Sequence, residues 1–326
     1  MSRVLKAVIG TPGVSALIVL IIILATFHLY TGIFLRPRNI ELILGIVPEL
    51  GVVVLGVVIL MIAREFDLSV GSVFGLAPMI MNALYTSGGL HPWLAIVLAL
   101  AACALVGLFN GAMTVYRRIP SFIVTLGMLF MARSMVIVLT GKRPPRPDTV
   151  PYDVFVYDFG MFPASLLWFL GLALVLGIIL HRTNVGNWIY ATGGHTEAAK
   201  DMGIRWRRVK LGCFMLCSTL AGFGGILQTF RVGGSVMPTY GTGLELEAIA
   251  AAVIGGTSLF GGAGSVIGAL AGVFLVRSID NGFIIARVDV EFFRMALGAL
   301  IIAAVIFNTD LQRFASRIRV KGKEED

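Results

Sequence analysis

Four ionisable side chains interrupt long apolar stretches of this sequence, and they are the residues most able to do chemistry. They are Glu49, Arg133, Glu245 and Glu247. A charge inside an apolar segment is costly, and where one occurs it commonly relays a proton, binds an ion or pairs with another charge. Glu245 and Glu247 also stand near the start of a glycine-rich helix, where an interfacial or structural role fits equally well. Ion-coupled chemistry therefore stays open.

Other catalytic chemistry has little support in the sequence. No nucleophile is spaced from a base as a catalytic pair requires, and the four His residues form no metal-binding cluster. The three cysteines, Cys103, Cys213 and Cys217, fall in apolar stretches, where a free thiol packs as a small hydrophobe. We therefore expect no catalytic residue, no metal and no cofactor on this chain.

Composition indicates which elements hold these residues. Apolar residues make up 57% of the 326 residues and charged residues 13%, which is too little polar surface for a water-soluble globule. A helix crosses a bilayer with about 20 apolar residues. We predict an all-α polytopic membrane protein, a single transmembrane domain over residues 1–326 with about ten spans. The predicted spans are 14–35, 40–62, 69–86, 91–116, 121–140, 163–181, 210–230, 242–257, 263–279 and 291–307.

Charge placement predicts the topology. Short cytoplasmic loops collect Lys and Arg, and with the N-terminus inside these residues concentrate on the inner side. Both termini are then cytoplasmic, residues 182–209 form an inner loop and residues 141–162 an outer loop. Residues 242–260 are short and glycine-rich, so a broken or re-entrant segment is the alternative there. The basic residues behind the net charge of +8 are concentrated at helix ends, where they can contact anionic lipid headgroups. The charge therefore does not indicate nucleic-acid binding.

A cluster of charges separates two apolar runs at AREFDLSVGSVFG, residues 63–75. In this topology the cluster lies at the cytoplasmic end of the second span, so we expect Arg64, Glu65 and Asp67 to be hydrated. Either Asp67 or Ser69 is expected to cap the next helix, its side-chain oxygen accepting from the first free backbone N–H groups.

Glycines recur at four-residue intervals in two regions. Gly71 and Gly75 share one helix face, and Gly264, Gly268 and Gly272 do so in a second region. Small residues at this spacing let two helices approach closely in lipid. We predict helix packing at these positions; a capped helix end facing a polar cavity is the alternative for the first pair.

The inner loop 182–209 contains a short helix with the sequence HTEAAKDMGI. We expect Thr196 to cap it, Glu197 to favour its positive first turn and Gly203 to end it. A helix of this length is unstable alone in water, so its apolar face is expected to seat in a groove. That face comprises Ala198, Ala199, Met202 and Ile204. An interfacial helix without a partner is the alternative.

Four segments, in this order, resemble the membrane subunits of bacterial ABC importers of the ribose type, within the branched-chain amino acid and sugar permease superfamily. They are FDLSVGSVFGL at 66–76, NGAMTVYRRIPSFIVTLGMLFMARSMVIVLTG at 110–141, IYATGGHTEAAKDMGI at 189–204 and LELEAIAAAVIGGTSLFGGAGSVIGALAG at 244–272. The likeness runs over most of the chain. The family more often has Gly-Ile at Glu65 and Phe66, and Asn at His195.

The resemblance implies a division of labour between several chains. In such importers the E-A-A-x-x-x-G loop is the coupling helix, which sits in a cleft of a cytoplasmic ATPase subunit. ATP and magnesium act on that subunit. An extracytoplasmic solute-binding protein delivers a sugar at the outer mouth, where residues 142–162 are a candidate docking surface, with an idle stiff loop as the alternative. Two permease copies, identical or closely related, flank one path. The coupling residues implied here are Thr196, Glu197, Ala198, Ala199, Met202, Gly203 and Ile204.

A path for neutral, hydroxyl-rich solutes should present scattered polar and aromatic groups. Candidate path residues are Phe66, Asn82, Asn110, Ser121, Thr125, Thr257, Ser258 and Asn281, although polar residues of this kind commonly serve helix packing. The interpretation is therefore a permease subunit of an ATP-driven importer. An ion-coupled secondary transporter of a small polar solute is the alternative, and a membrane-bound enzyme is a weaker one.

Overall fold

The computed structural model describes residues 14–86, 88–140, 154–155, 157–234, 237–289, 291–303 and 306, and most of these residues are helical. The helices are α1 (Val14–Thr31), α2 (Pro37–Ile62), α3 (Val70–Thr86), α4 (Pro92–Arg117), α5 (Ser121–Thr140), α6 (Ala164–Arg182), α7 (Asn184–Gly194), α8 (Thr196–Asp201), α9 (Trp206–Arg231), α10 (Leu244–Ile254) and α11 (Val266–Ile285). Residues 291–303 are also helical. Two-residue strands, β1 (Asp158–Phe159) and β2 (Phe162–Pro163), pair antiparallel between α5 and α6. The prediction of an essentially all-helical fold is confirmed.

Within the described residues, six helices are long and apolar enough to cross a membrane. They are α2, α4, α5, α6, α9 and α11, while α1 and α3 are apolar but shorter. The chain is therefore a multi-pass membrane protein, and the count of about ten spans stays a prediction. Both predicted cytoplasmic termini, residues 1–13 and 307–326, lie outside the described residues, as does the stretch 141–153 of the predicted outer loop.

Helix α9 packs against α2, α3 and α4. Its glycines permit this packing, because a Cβ at Gly225 would overlap the Phe74 carbonyl and one at Gly222 would lie 2.6 Å from Cys103 Sγ. Small residues let helices approach closely where lipid supplies no hydrophobic driving force. Of the most apolar 18 residues in each helix, 78% are buried in α2 and 17% in α5. Helix α2 is thus enclosed and α5 lies on the periphery of the single chain.

The predicted span 242–257 contains only a short helix. Helix α10 has 11 residues, which gives about 16 Å, or roughly half of a hydrocarbon core. Glycines in the left-handed region bracket it, with φ of 81° at Gly243 and 88° at Gly256, a conformation that interrupts helices. The chain then runs irregularly over residues 255–265 before α11 begins. This short form corresponds to the broken segment given above as the alternative.

An aromatic contact fixes the described part of the predicted outer loop. The ring of Phe155 stacks on those of Phe230 and Trp168, with centroids 4.7 and 5.9 Å apart. The indole N–H of Trp168 donates to the Val154 carbonyl at 3.0 Å. Phe155 is 3% exposed, so residues 154–155 are held against α6 and α9.

Candidate functional site

Helix α8, six residues long, follows α7 in the predicted inner loop. The prediction that Thr196 caps it is wrong, because the Thr196 hydroxyl donates to the Thr192 carbonyl at 2.8 Å. His195 is the cap instead, since its Nδ1 accepts from the Ala198 backbone N–H at 3.2 Å. Thr196 is already helical, so the side chain before it reaches the free N–H groups. Gly203, with φ of 80°, follows the helix end as predicted.

Half of the predicted apolar face of α8 packs against this chain, and the other half is exposed to solvent. Ala199 is 2% exposed and Ile204 is half-buried, so both pack against the rest of this chain. Ala198 is exposed, and Met202 is 78% exposed. A helix this short is unstable alone, and its exposed side chains are free to contact another protein. The face available to a partner therefore consists of Ala198 and Met202 together with the exposed Glu197.

Helix α7 rests on the inner end of α2 and on the glycine-rich turn that precedes α11. A Cβ at Gly193 would overlap the Ile62 carbonyl. That same carbonyl accepts from the Gly262 backbone N–H at 2.9 Å. The Tyr190 hydroxyl donates to the Gly264 carbonyl at 2.7 Å. Glycines are required here because three backbone segments meet with no room for a side chain. A displacement of α7 therefore bears directly on α2 and on residues 255–265.

The charges after α2 are not hydrated as expected. Arg64 is exposed, but the Glu65 carboxylate lies 2.5 Å from the Lys210 ammonium and both side chains are largely buried. Asp67 is 3% exposed. The segment between α2 and α3 turns into the protein because Lys210, in the first turn of α9, supplies a buried counter-charge. A buried carboxylate persists only with such a partner or with hydrogen bonds.

Asp67 is held by hydrogen bonds from three parts of the chain. One carboxylate oxygen accepts from the Ser69 backbone N–H at 2.8 Å and from its hydroxyl at 2.5 Å. The other accepts from the Ser218 hydroxyl on α9 at 3.2 Å, and Asn110 on α4 donates to the Ser69 hydroxyl at 3.0 Å. Burial raises the pKa of Asp67, and the hydrogen bonds from Ser69 and Ser218 oppose that rise. Asp67 thus accepts hydrogen bonds just before α3 begins. Through these bonds the segment between α2 and α3 is joined to α4 and α9.

The first pair of repeated glycines lies against the turn before α10. A Cβ at Gly71 would overlap the Glu245 carboxylate, and a Cβ at Gly75 would lie 2.9 Å from the Tyr240 carbonyl. These positions therefore bring α3 into backbone contact with the segment 237–245.

The second set of glycines brings α10 and α11 together. A Cβ at Gly268 would overlap the Gly255 carbonyl, and one at Gly272 would overlap the Ala251 carbonyl. Gly264 is equally crowded, because a Cβ there would lie 2.8 Å from the Ile62 side chain. The half-length α10 is thereby fixed along α11.

Two of the intramembrane carboxylates are engaged in ion pairs. The Glu49 carboxylate contacts the Arg231 guanidinium. The Glu247 carboxylate lies 3.1 Å from the Arg277 guanidinium, which also approaches Asp280 at 3.5 Å. The sequence does not reveal the first pair, because its members are 182 residues apart. A structural role explains these charges, since buried ions in membrane helices commonly pair with each other.

Arg133 binds backbone oxygens. Its guanidinium donates to the Tyr240 carbonyl at 2.7 Å and to the Pro238 carbonyl at 3.1 Å, with a longer contact of 3.4 Å to Gly71. It also interacts electrostatically with Glu245. Nη1 makes both shorter bonds and Nη2 the longer one, so the several donors of one guanidinium reach three carbonyls. Helix α5 therefore holds the turn before α10 in place.

The candidate path residues lie inside the chain. Asn82, Asn110, Thr125 and Thr257 are 0–1% exposed, so they contact protein and do not open onto a surface of this single chain. Phe66 and Ser121 are in contact, the Phe66 N–H donating to the Ser121 hydroxyl at 3.3 Å. Among these candidates, Asn82, Asn110, Thr257 and Asn281 each have a buried side-chain oxygen without a hydrogen-bond partner within the described part of the chain. The path assignment, including Ser258, stays a prediction.

Comparisons with known proteins agree with this architecture. Residues 39–305 match the family model described as branched-chain amino acid transport system / permease component. The xylose/arabinose import permease protein XylH of Sulfolobus acidocaldarius is 31% identical over 92% of this chain and 85% of its own length. The ribose import permease protein RbsC of Escherichia coli K12 is 31% identical over 89% of this chain and 91% of its own length. The autoinducer 2 import system permease protein LsrC of Photorhabdus laumondii is 29% identical over 94% of this chain and 92% of its own length.

No solved structure matches the chain with significance. The family match covers most of the sequence and includes every helix described above from α3 to α11. With several apolar helices long enough to cross a bilayer, the chain belongs to the family of permease components of branched-chain amino acid transport systems.

Proposed function

We propose that the chain is the membrane-spanning subunit of an ATP-driven importer and forms the path for a sugar or a sugar-like solute. The observation that carries the proposal is α8, whose sequence fits a coupling helix and whose Ala198 and Met202 face solvent. A helix this short needs a partner surface. The relatives named for import of xylose or arabinose, ribose and autoinducer 2 support the class of solute.

The partner proposed for α8 is a cytoplasmic ATPase subunit, which would hold ATP and magnesium. The sequence contains no G-x-x-x-x-G-K-[ST] loop, the element that binds phosphates in such ATPases. Nucleotide chemistry therefore belongs on another chain. We further propose that an extracytoplasmic binding protein delivers the solute and that the assembly lies in the bacterial inner membrane.

A second copy of this chain, or a close relative, completes the proposed path. The support is the low burial of α4 and α5, since 28% and 17% of their most apolar residues are buried. Helices so little covered by their own chain are available to lipid and to a second subunit. Two copies also supply the two coupling helices that a pair of ATPase subunits would move together.

The contacts of α7 give a mechanism for coupling. Closure of the ATPase subunits would displace α8 and, through the chain, α7. Because Gly193 leaves no gap to the Ile62 carbonyl, the displacement passes to α2. It also passes to residues 255–265 through Gly262 and Tyr190. Packed interfaces move as rigid units and do not deform continuously, so α10 and α11 would follow.

An ion-coupled secondary transporter is the competing function. It requires carboxylates that are free to exchange an ion or proton near the middle of the membrane. Glu49 and Glu247 instead contact Arg231 and Arg277. Proton uptake by either carboxylate would break an ion pair with a partly buried arginine, which is costly. These pairs favour the ATP-driven function.

Uptake into proteoliposomes tests the proposal. The purified chain is reconstituted with its ATPase subunit and supplied with the binding protein outside and labelled D-ribose or D-xylose. We expect uptake with enclosed ATP and none with a proton or sodium gradient alone. Gradient-driven uptake by vesicles that lack the ATPase subunit would contradict the proposal and support the secondary transporter.

A further inference from the structure

The turn between α9 and α10 exposes polar groups on the surface of the chain. Residues 237–243, MPTYGTG, are non-helical, with φ of 72° at Gly241 and 81° at Gly243. The Thr239 and Thr242 side chains are exposed. Such a turn is ordinary in water and is unusual at membrane depth. Its depth therefore decides what it faces.

Helix α5 gives the depth of the turn. Its first residue, Ser121, contacts the link α2–α3 on the predicted inner side. Arg133 stands 12 residues further along α5, which at the helical rise is about 18 Å. The hydrocarbon core is about 30 Å thick. Because the Arg133 guanidinium lies 2.7 Å from the Tyr240 carbonyl, the turn lies within the membrane and not at its surface.

The Arg133 charge beside the turn is engaged within the chain. Arg133 binds the Pro238 and Tyr240 carbonyls, and the nearby Glu245 carboxylate balances its charge. Gly71 and Gly75 allow α3 to support the turn from behind. The backbone is therefore held from α3 and α5, while Thr239 and Thr242 remain exposed.

Lipid cannot satisfy these hydroxyls. Non-helical backbone at membrane depth occurs only where it is buried in protein or lines a water-filled cavity. The threonines are exposed on this chain, and Arg133 is already engaged by the Pro238 and Tyr240 carbonyls. We propose that residues 237–243 line the solute path and that Thr239 and Thr242 hydrogen-bond a neutral, hydroxyl-rich solute. The choice of solute class rests on the proposed function, whereas the exposure of the turn to water does not.

Thiol labelling tests the exposure to water. Thr239→Cys and Thr242→Cys are introduced separately, and membranes holding the whole assembly are treated with a cationic methanethiosulfonate. A thiolate displaces methanesulfinate from the reagent and forms a mixed disulfide, and thiolates form only where water reaches the sulfur. The native Cys103, Cys213 and Cys217 are 0–3% exposed, which keeps the background low.

Leu174→Cys is the matched control. Leu174 lies on α6, ten residues after Ala164, where the helix begins. It is 65% exposed on an apolar face, so lipid should surround it. We expect both threonine positions to react on the order of tenfold or more faster than Leu174→Cys. Equal and slow reaction at all three positions would overturn the proposal, because the turn would then be covered by protein or lipid. Labelling needs no ATP, so this result is independent of whether the proposed function fails.

Isosteric substitution tests the hydrogen bonds. In the proteoliposome assay, Thr239→Val and Thr242→Val are expected to lower kcat/KM for the imported sugar severalfold, and the corresponding Ser variants to retain it. If the double valine variant had the same kcat/KM as the unmodified chain, the two hydroxyls would have no role in solute recognition. If no ATP-driven uptake occurs at all, the proposed function fails, and the labelling result alone decides whether the turn faces water.

Discussion

The Lys210 ammonium lies 2.5 Å from a Glu65 carboxylate oxygen, with 9% and 12% of the two side chains exposed. This ion pair joins the first turn of α9 to the link α2–α3. Helix α9 begins four residues after Met202 at the end of α8. The pair therefore connects the proposed coupling segment to the non-helical segment between α2 and α3.

Breaking this ion pair on one side should destabilise the protein strongly. Lys210→Met leaves the Glu65 carboxylate buried without a counter-charge, which costs on the order of 3–5 kcal/mol. The double variant Glu65→Leu with Lys210→Met removes both charges and should recover most of the loss. The thermal midpoint of each purified variant in detergent gives a double-mutant cycle. Losses that simply add would show that the two side chains do not interact.

A side chain at Gly193 should disturb the contact between α7 and α2. Gly193→Ala places a Cβ on the Ile62 carbonyl, and overpacking of this kind costs about 1–3 kcal/mol. Its neighbour provides the control, because a Cβ at Gly194 would come no nearer than 4.0 Å to Gly262. We expect a lower thermal midpoint for Gly193→Ala and an unchanged one for Gly194→Ala. Equal midpoints for both variants would contradict the close contact.

The cap of α8 should accept Asn but not Ala. His195→Ala removes the acceptor for the Ala198 backbone N–H and should cost about 1 kcal/mol of local helix stability. His195→Asn replaces the Nδ1 acceptor with an amide oxygen, and its helix stability should match or exceed that of the unmodified chain. Amide hydrogen exchange at Ala198 and Ala199 measures the difference. Unchanged exchange in the Ala variant would mean that His195 does not stabilise α8.

A lysine should not be able to replace Arg133. Arg133→Lys keeps the charge beside Glu245 but has a single nitrogen donor, so it cannot bind the Pro238 and Tyr240 carbonyls and also keep the Nη2 contact with Gly71. We expect faster hydrogen exchange in the turn 237–243 and reduced uptake in both Arg133→Lys and Arg133→Gln. If the Lys variant were indistinguishable from the unmodified chain, charge alone would explain the residue.

Local signals in the sequence were sufficient for much of the fold. Apolar runs of helical length predicted helices that the structure contains, and Gly203 followed the end of α8 as its conformation requires. The spacing of Gly71 and Gly75 predicted close packing, and both lie against the segment before α10. These features depend on residues within a few positions of each other, which a single sequence displays.

Contacts between distant residues could not be predicted in this way. Glu65 was expected in water because nothing near it in sequence reveals Lys210, which is 145 residues away. The cap was assigned to Thr196 because Thr is a common cap, whereas the helix begins one residue earlier than that choice implied. Ala199 and Ala198 are adjacent, and only packing shows that one is buried and the other exposed.

Binding of the cognate ATPase subunit to Met202 variants tests the central claim most directly. The Met202→Leu variant keeps an apolar side chain on α8, while Met202→Glu places a charge where 78% of the side chain is exposed and should not affect folding. We predict that the ATPase subunit co-purifies with the Leu variant as with the unmodified chain and is lost from the Glu variant. Full retention of the ATPase subunit by Met202→Glu, with undiminished ATP-driven uptake, would contradict the account.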